Sequence, residues 1–152
     1  MKEGNGAGVY GHSVRRRLRF SLGRYATAFH ADIYAVLACV YKVQFHSRPD
    51  KYVTIWSDSQ GALKALQAIR TTSPLFLQCH KTLNDISSRH GVRLYWVPGH
   101  AGLRGNEIAD ELARDGYALN TLRTGAFKLF KCTFPGSKQF KSTFILCFFK
   151  YL

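Results

Sequence analysis

Between Val92 and Ala113 the hydrophobic period changes from two to 3.6 over about a dozen residues, which restricts the possible folds more than anything else in the chain. Val92, Leu94 and Trp96 alternate with Arg93 and Tyr95 as in a half-buried strand, and Pro98-Gly99 ends that pattern. Helical spacing then resumes with Ile108, Ala109 and Leu112. A strand, a glycine-rich loop carrying His100 and an acidic helix carrying Asp110 follow in that order, as at an active-site rim.

The rest of the chain supplies partners for this unit. Ala7 to Tyr10 and Arg15 to Leu22 read as an antiparallel strand pair, the second with Leu18, Phe20 and Leu22 inward and Arg17, Arg19 and Ser21 outward. Phe29, Ile33, Val36, Leu37 and Val40 recur at helical spacing, and Tyr52 to Ser57 is a β-branched and aromatic run suited to a buried strand. Leu63, Leu66 and Ile69 mark a further helix. Ser73-Pro74 suits the cap and first position of another, which carries Cys79, Leu83 and Ile86 and stops at Gly91. The order ββαβααβα predicts an α/β architecture, a mixed sheet with helices on its faces.

Three segments carry a family resemblance. The stretch from Trp96 to Ala113, with its Pro98-Gly99-His100 loop and Asn106-Glu107 followed by Asp110, resembles the end of a ribonuclease H type 1 domain of the kind in non-LTR retrotransposon reverse-transcriptase polyproteins. Thr54-Ile55-Trp56-Ser57-Asp58-Ser59-Gln60 resembles that family's strand with a catalytic aspartate. Phe20 to Ala35 resembles its strand and helix start, with Asp32 where glutamate is expected. The resemblance runs from about Gly4 to Gly116. It implies a ribonuclease H-like mixed sheet whose first, central strand, ending in Asp-Gly-Ser and supplying the first carboxylate, is missing here, since Met1 falls in the turn after it. The expected domain is therefore 1–116, incomplete at its start, followed by a basic, aromatic tail over 117–152.

The resemblance also implies chemistry: hydrolysis of the RNA strand of an RNA–DNA hybrid at a two-metal Mg2+ site, with Mn2+ as a substitute. Hard cations of this kind need converging carboxylates. Asp32, Asp58 and Asp110 match the catalytic metal ligands, and His100 the loop histidine that assists proton transfer or product departure. Asp32 is one methylene shorter than the expected glutamate, so its ligand oxygen is drawn back. Taken singly, each residue has a plainer reading. Asp58-Ser59 suits a helix N-cap, Asp32 and Asp110 suit the positive start of a helix, and a lone loop histidine is ordinarily solvated. The ordered combination favours the chemical reading. A related integrase or transposase nuclease matches the His100 loop and the Asn106-Glu107 helix less well.

Charge points the same way. The chain has 22 Lys plus Arg against 9 Asp plus Glu, a net charge of +13, which suits a polyanionic partner. Arg15, Arg17, Arg19, Ser59 and Asn106 are the candidate nucleic-acid contacts, through phosphates and 2′-hydroxyls rather than base identity; charge that keeps an edge strand soluble explains the arginines equally well. The rival function is a non-catalytic, basic nucleic-acid-binding remnant. Residues 117–152 hold six basic and no acidic residues, with phenylalanines in no lasting period. They read as sequence that contributes nothing to the fold, or as an arm that stacks on bases.

Cys39, Cys79, Cys132 and Cys147 show no metal-ligand spacing and read as reduced thiols. With no signal-like start and no apolar run of about 20 residues, the expectation is an intracellular protein, cytoplasmic or nuclear and not secreted, without a membrane partner. The parent element and oligomeric state leave no mark in the sequence.

Overall fold

The computed structural model describes residues 6–11, 16–23, 26–45, 52–68, 73–118 and 143–148. In chain order these form β1 (Gly6–Gly11), β2 (Arg16–Ser21), α1 (Ala28–Phe45), β3 (Tyr52–Ser57), α2 (Gln60–Gln67), α3 (Pro74–Ser87), β4 (Gly91–Trp96), α4 (Arg104–Ala118) and β5 (Thr143–Phe148). The architecture is mixed α/β, as the periodicity predicts. Ser73 stands at the N-cap position of α3 without a side-chain cap bond, Pro74 opens the helix, and it stops at Ser87, with Gly91 starting the next strand. Arg15 and Ile69 lie outside the described residues.

The sheet order is β2-β1-β5-β3-β4. β1 and β2 form the expected antiparallel pair, with Val9 opposite Leu18, and β3 runs parallel to β4, with Ile55 opposite Leu94. The centre departs from expectation. The middle position, which the resemblance gives to a strand preceding β1, is occupied by β5, parallel to β1 and antiparallel to β3. The expectation that residues 117–152 add nothing to the fold is thus corrected for residues 143–148, since β5 joins the two halves of the sheet, with α1 and α4 lying against it, while residues 119–142 and 149–152 lie outside the described residues. A run read as structureless for lack of alternation is what a strand covered on both faces requires.

Alternation then divides the helices between the faces. Ala7, Val9, Val53 and Ile55 face the main core, to which α1 adds Ile33, Val36, Leu37 and Val40 and α3 adds Leu75, Phe76, Cys79 and Ile86. Phe20 meets Tyr34 edge-on at 5.2 Å between ring centroids, tying β2 to α1. On the opposite face α4 approaches β1 closely. A Cβ on Gly8 would lie 2.1 Å from the Ala109 carbonyl oxygen, and one on Gly116 would lie 2.5 Å from that of Phe20. Ala109 and Ala113, both fully buried, form the matching small surface on the helix. Glycine is required at both contacts because no side chain fits between the backbones.

The cysteine expectation holds in part. Cys79 is buried and free, and burial pushes its thiol up to about 12. Cys39 is corrected, because it is disulfide-bonded. Spacing along the chain does not reveal a pairing that the packing of distant segments creates.

Candidate active site

At the end of β3 two side chains divide the work that the sequence left undecided between them. Ser59, not Asp58, caps α2: its hydroxyl accepts from the Ala62 backbone N–H at 3.2 Å, while the Ser59 N–H donates to Ser57 Oγ at 3.1 Å. The Asp58 carboxylate is left to point elsewhere. Ser59 also hydrogen-bonds the Asp32 carboxyl, so the residue proposed as a nucleic-acid contact is engaged within the site.

The capping explanations fail for the other two acids as well. The first turn of α1 contains no acid, and Thr27 serves its start by accepting from the His30 N–H at 3.2 Å and bonding the His30 ring at 2.7 Å. Asp32 follows one residue beyond that turn and is 7% exposed. In α4 the first-turn acid is Glu107, whereas Asp110 lies further along, buried, and paired with Arg114 at 3.4 Å.

Asp58 is the point on which these groups converge. It interacts electrostatically with Asp110 and His100, and it acts in turn on Asp32. Burial, against the hydrogen bond from Asn106 and a backbone bond of its own, raises its carboxyl to about 6, with Asp110 raising it further and His100 lowering it. Burial also dominates at Asp32, which rises to about 7 despite the Ser59 bond, with the neighbouring Asp58 charge adding to the shift. At both carboxyls burial is the leading cause of the rise, and a neighbouring carboxylate adds to it.

The loop above them is built tightly. His100 adopts φ 57°, which non-glycine residues seldom do, and Gly99 before it packs so that an added Cβ would lie 3.3 Å from Asp58 Oδ2. The imidazole itself is exposed. Val97 N–H donates to the Ser57 carbonyl at 3.0 Å and Trp96 Nε1–H to that of Asp58 at 3.1 Å, so the loop entrance is tied to the end of β3.

Among the described residues no group of three or more His, Cys, Asp or Glu side chains is close enough to hold a metal ion. Residues 117–152, which include β5, contain no acidic residue, so the strand at the centre of the sheet brings no carboxylate. Asp32 and Asp58, which act on each other electrostatically, are the carboxylates that would hold a divalent cation, with water for its remaining ligands. The basic residues stand apart. Arg17 and Arg19 are exposed on β2, on the face that carries α4, and Arg19 pairs with Asp115 at 3.5 Å. Asn106 is placed differently from its nucleic-acid assignment, buried at 3% exposure and bonded to Asp58. Its spacing of four from Asp110, which sets both on one helix face, is the signal that sequence reasoning passed over.

Residues 1–118 match the family pattern described as RNase H. The chain is 54% identical over 77 residues to a ribonuclease H of Rhodopseudomonas palustris strain HaA2, covering 51% of this chain and 33% of that protein. It is 58% identical over 36 residues to a ribonuclease H of Jannaschia sp. strain CCS1, covering 24% and 23% respectively. For one of Mesorhizobium japonicum the figures are 48% over 48 residues, 32% and 26%. The matched stretch thus spans a quarter to a third of the length of these relatives.

Proposed function

Given that this chain belongs to the ribonuclease H family, we propose that it hydrolyses the RNA strand of RNA–DNA hybrids at the rim formed by Asp32, Asp58, Asp110 and His100. The observation that carries this reading is the electrostatic interaction of Asp58 with one carboxyl from α1, one from α4 and the His100 imidazole, after capping of α2 has been accounted for by Ser59. Capping acids have no reason to meet.

Asp32 and Asp58 are the residues that would hold a divalent cation, Mg2+ or Mn2+, with Asp110 as a further carboxylate near Asp58. When bound, the cation supplies Lewis-acid charge for phosphodiester hydrolysis. The chain's own contribution is orientation. Ser59 holds the Asp32 carboxyl from one side, the fixed ends of β3 and β4 hold Asp58, and the exposed imidazole of His100 is placed to take or give a proton at the edge of the site. Arg17 on the sheet, and Arg104 at the start of α4, are available to the phosphates of a hybrid. The ordered Pro98-Gly99-His100 and Asn106-Glu107 segments support descent from a retroelement polyprotein.

The test is cleavage of an end-labelled hybrid by the full chain with Mg2+ or Mn2+, against a chelator and against Asp58→Asn. A metal-dependent product lost in the variant is expected. A second reading has its own observation: the acid-free central strand leaves fewer carboxylates than two-metal chemistry uses, which favours a hybrid-binding protein without turnover. Steeply salt-dependent hybrid binding with no metal-dependent product would select it.

A further inference from the structure

The alternation of β3 that sends Val53 and Ile55 into the main core sends Thr54 and Trp56 to the opposite face of the sheet, where the register sets Arg93 of β4 beside Thr54 and Tyr95 beside Trp56. Among the described helices α4 lies on that face, against β1, β2 and β5, whereas α2 and α3, which reach β4, belong to the main-core side. On the β3–β4 half of the face the Trp56 and Tyr95 rings stack, 4.9 Å apart at their centroids and 29° between planes. Tyr95 is still 40% exposed, and Arg93, two residues before it, is exposed as well. Neither strand contains an acid. Protection of an edge strand accounts for the arginine. It does not account for a ring stack whose outer member stands in water, since a β-branched residue would hold the strand without exposing an aromatic face.

We propose that this ring pair is a stacking platform for single-stranded nucleic acid, with a base lying on the exposed side of Tyr95 and a phosphate beside Arg93. An unpaired base has an aromatic face to offer, whereas the bases of a duplex are stacked on one another and withheld, so the platform selects unpaired strand over hybrid. The Trp56 ring supports Tyr95 from the other side and limits its rotation. Acid-free strands in a chain of net charge +13 suit a polyanion. β3 and β4 run parallel, and the ring pair stands one residue before Ser57 and Trp96, where both strands end. A strand held there is about one residue's rise, roughly 3.3 Å, from the end of the sheet that carries Asp58. The platform therefore takes the unpaired continuation of a nucleic acid lying at that rim, and it depends on neither a cation nor cleavage.

The experiment is titration of the full chain in chelator with fluorescein-labelled oligo-dT, and with a blunt RNA–DNA hybrid of the same length, read by anisotropy over a range of salt. The proteins are native, Tyr95→Phe, Tyr95→Leu and Arg93→Gln, each with a thermal melt as a control for folding. In Trp96→Phe the chain keeps Trp56 as its remaining tryptophan, so indole emission reports the platform directly. The expected result is oligo-dT affinity about five- to a hundredfold weaker in Tyr95→Leu, the loss of one base–aromatic stack, with Tyr95→Phe close to native and hybrid affinity unmoved by either. Arg93→Gln should lower the salt slope for oligo-dT by about 0.7, the share of one phosphate contact, and oligo-dT should quench Trp56. Equal oligo-dT affinity in native protein and a cooperatively melting Tyr95→Leu overturns the proposal, as does an equal loss for oligo-dT and the hybrid. A dimer in sedimentation that Tyr95→Leu dissociates gives the face to a second copy and also overturns it. If Tyr95→Leu fails to fold, the Trp56 emission decides, and its indifference to oligo-dT overturns the platform.

Discussion

The indole of Trp96 donates its N–H to the main-chain carbonyl of Asp58 across 3.1 Å, although the ring is half exposed. Two residues 38 apart are thereby locked at the rim, and the bond holds the backbone of Asp58 without touching its carboxyl. Trp96→Phe retains the flat ring and removes the donor. Mn2+ affinity should fall by about three- to tenfold, on the scale of one net hydrogen bond of roughly 1 kcal/mol, with a melting temperature nearly unchanged. Calorimetric titration beside a thermal scan checks both.

Metal-free stability should fall as pH rises. The carboxyls of Asp32 and Asp58 hold their protons in the folded chain to about 7 and about 6, against an ordinary value of 3.8. Between that ordinary value and neutrality the folded state binds more protons than the unfolded one, so the stabilisation is complete below pH 3.8 and is lost as pH rises through 6 and 7. Chemical denaturation at pH 5 and 8 in chelator should give the higher midpoint at pH 5 from these two groups. Adding Mn2+ at pH 8 should restore part of the difference.

The approach of α4 to β1 predicts opposite signs for two glycine substitutions. Gly8→Ala would place a methyl 2.1 Å from the Ala109 carbonyl oxygen, where only backbone can move, and should cost about 3 kcal/mol or more. Gly61→Ala, in α2, would meet only the edge of the Phe29 ring at 3.7 Å and should gain about 0.5–1 kcal/mol from helix propensity. Urea titrations of the two variants decide the matter.

Lengthening one ligand should strengthen the site. Asp32→Glu extends the carboxyl by a methylene toward Asp58 from the buried start of α1. Divalent-cation affinity is expected to rise, and hybrid cleavage with it, at a packing cost of about 1–2 kcal/mol for the added volume. Mn2+ titration and the labelled-hybrid assay on one preparation would show whether the two move together.

His100 stores a little strain in its left-handed backbone, φ 57°. His100→Gly should relieve about 1 kcal/mol of it, raising the unfolding midpoint, while removing the imidazole. If His100 moves a proton, turnover on a hybrid should drop about 10²- to 10⁴-fold. An unchanged rate would assign the loop to packing alone.

The local elements were legible because their patterns are local. Alternation in Arg17, Leu18, Arg19 and Phe20, the helical recurrence from Phe29 to Val40 and the Ser73-Pro74 start each need only their own neighbours. Asp32, Asp58, Asp110 and His100 were singled out through motif order, and in the structure Asp58 interacts electrostatically with the other three. What escaped is long-range. Whether Asp58 or Ser59 caps α2 depends on backbone angles, the inward turn of Asn106 depends on where β3 ends, and the Cys39 disulfide depends on packing. The Thr143–Phe148 run shows the difficulty most clearly. The continuous apolar character that marks it as prone to aggregate in isolation also suits it to a sheet centre lined by helices on both sides.

That central placement bears on how the molecule is made. Of the five strands, the one that joins β1 to β3 is synthesised last, after a 24-residue interval beyond α4. At about 5–20 residues per second, several seconds can pass on the ribosome in which both flanking edges have no neighbour and the two half-sheets have nothing to join them. Sheet closure therefore follows the synthesis of β5, and nascent chains stalled between α4 and β5 are the ones most in need of a chaperone.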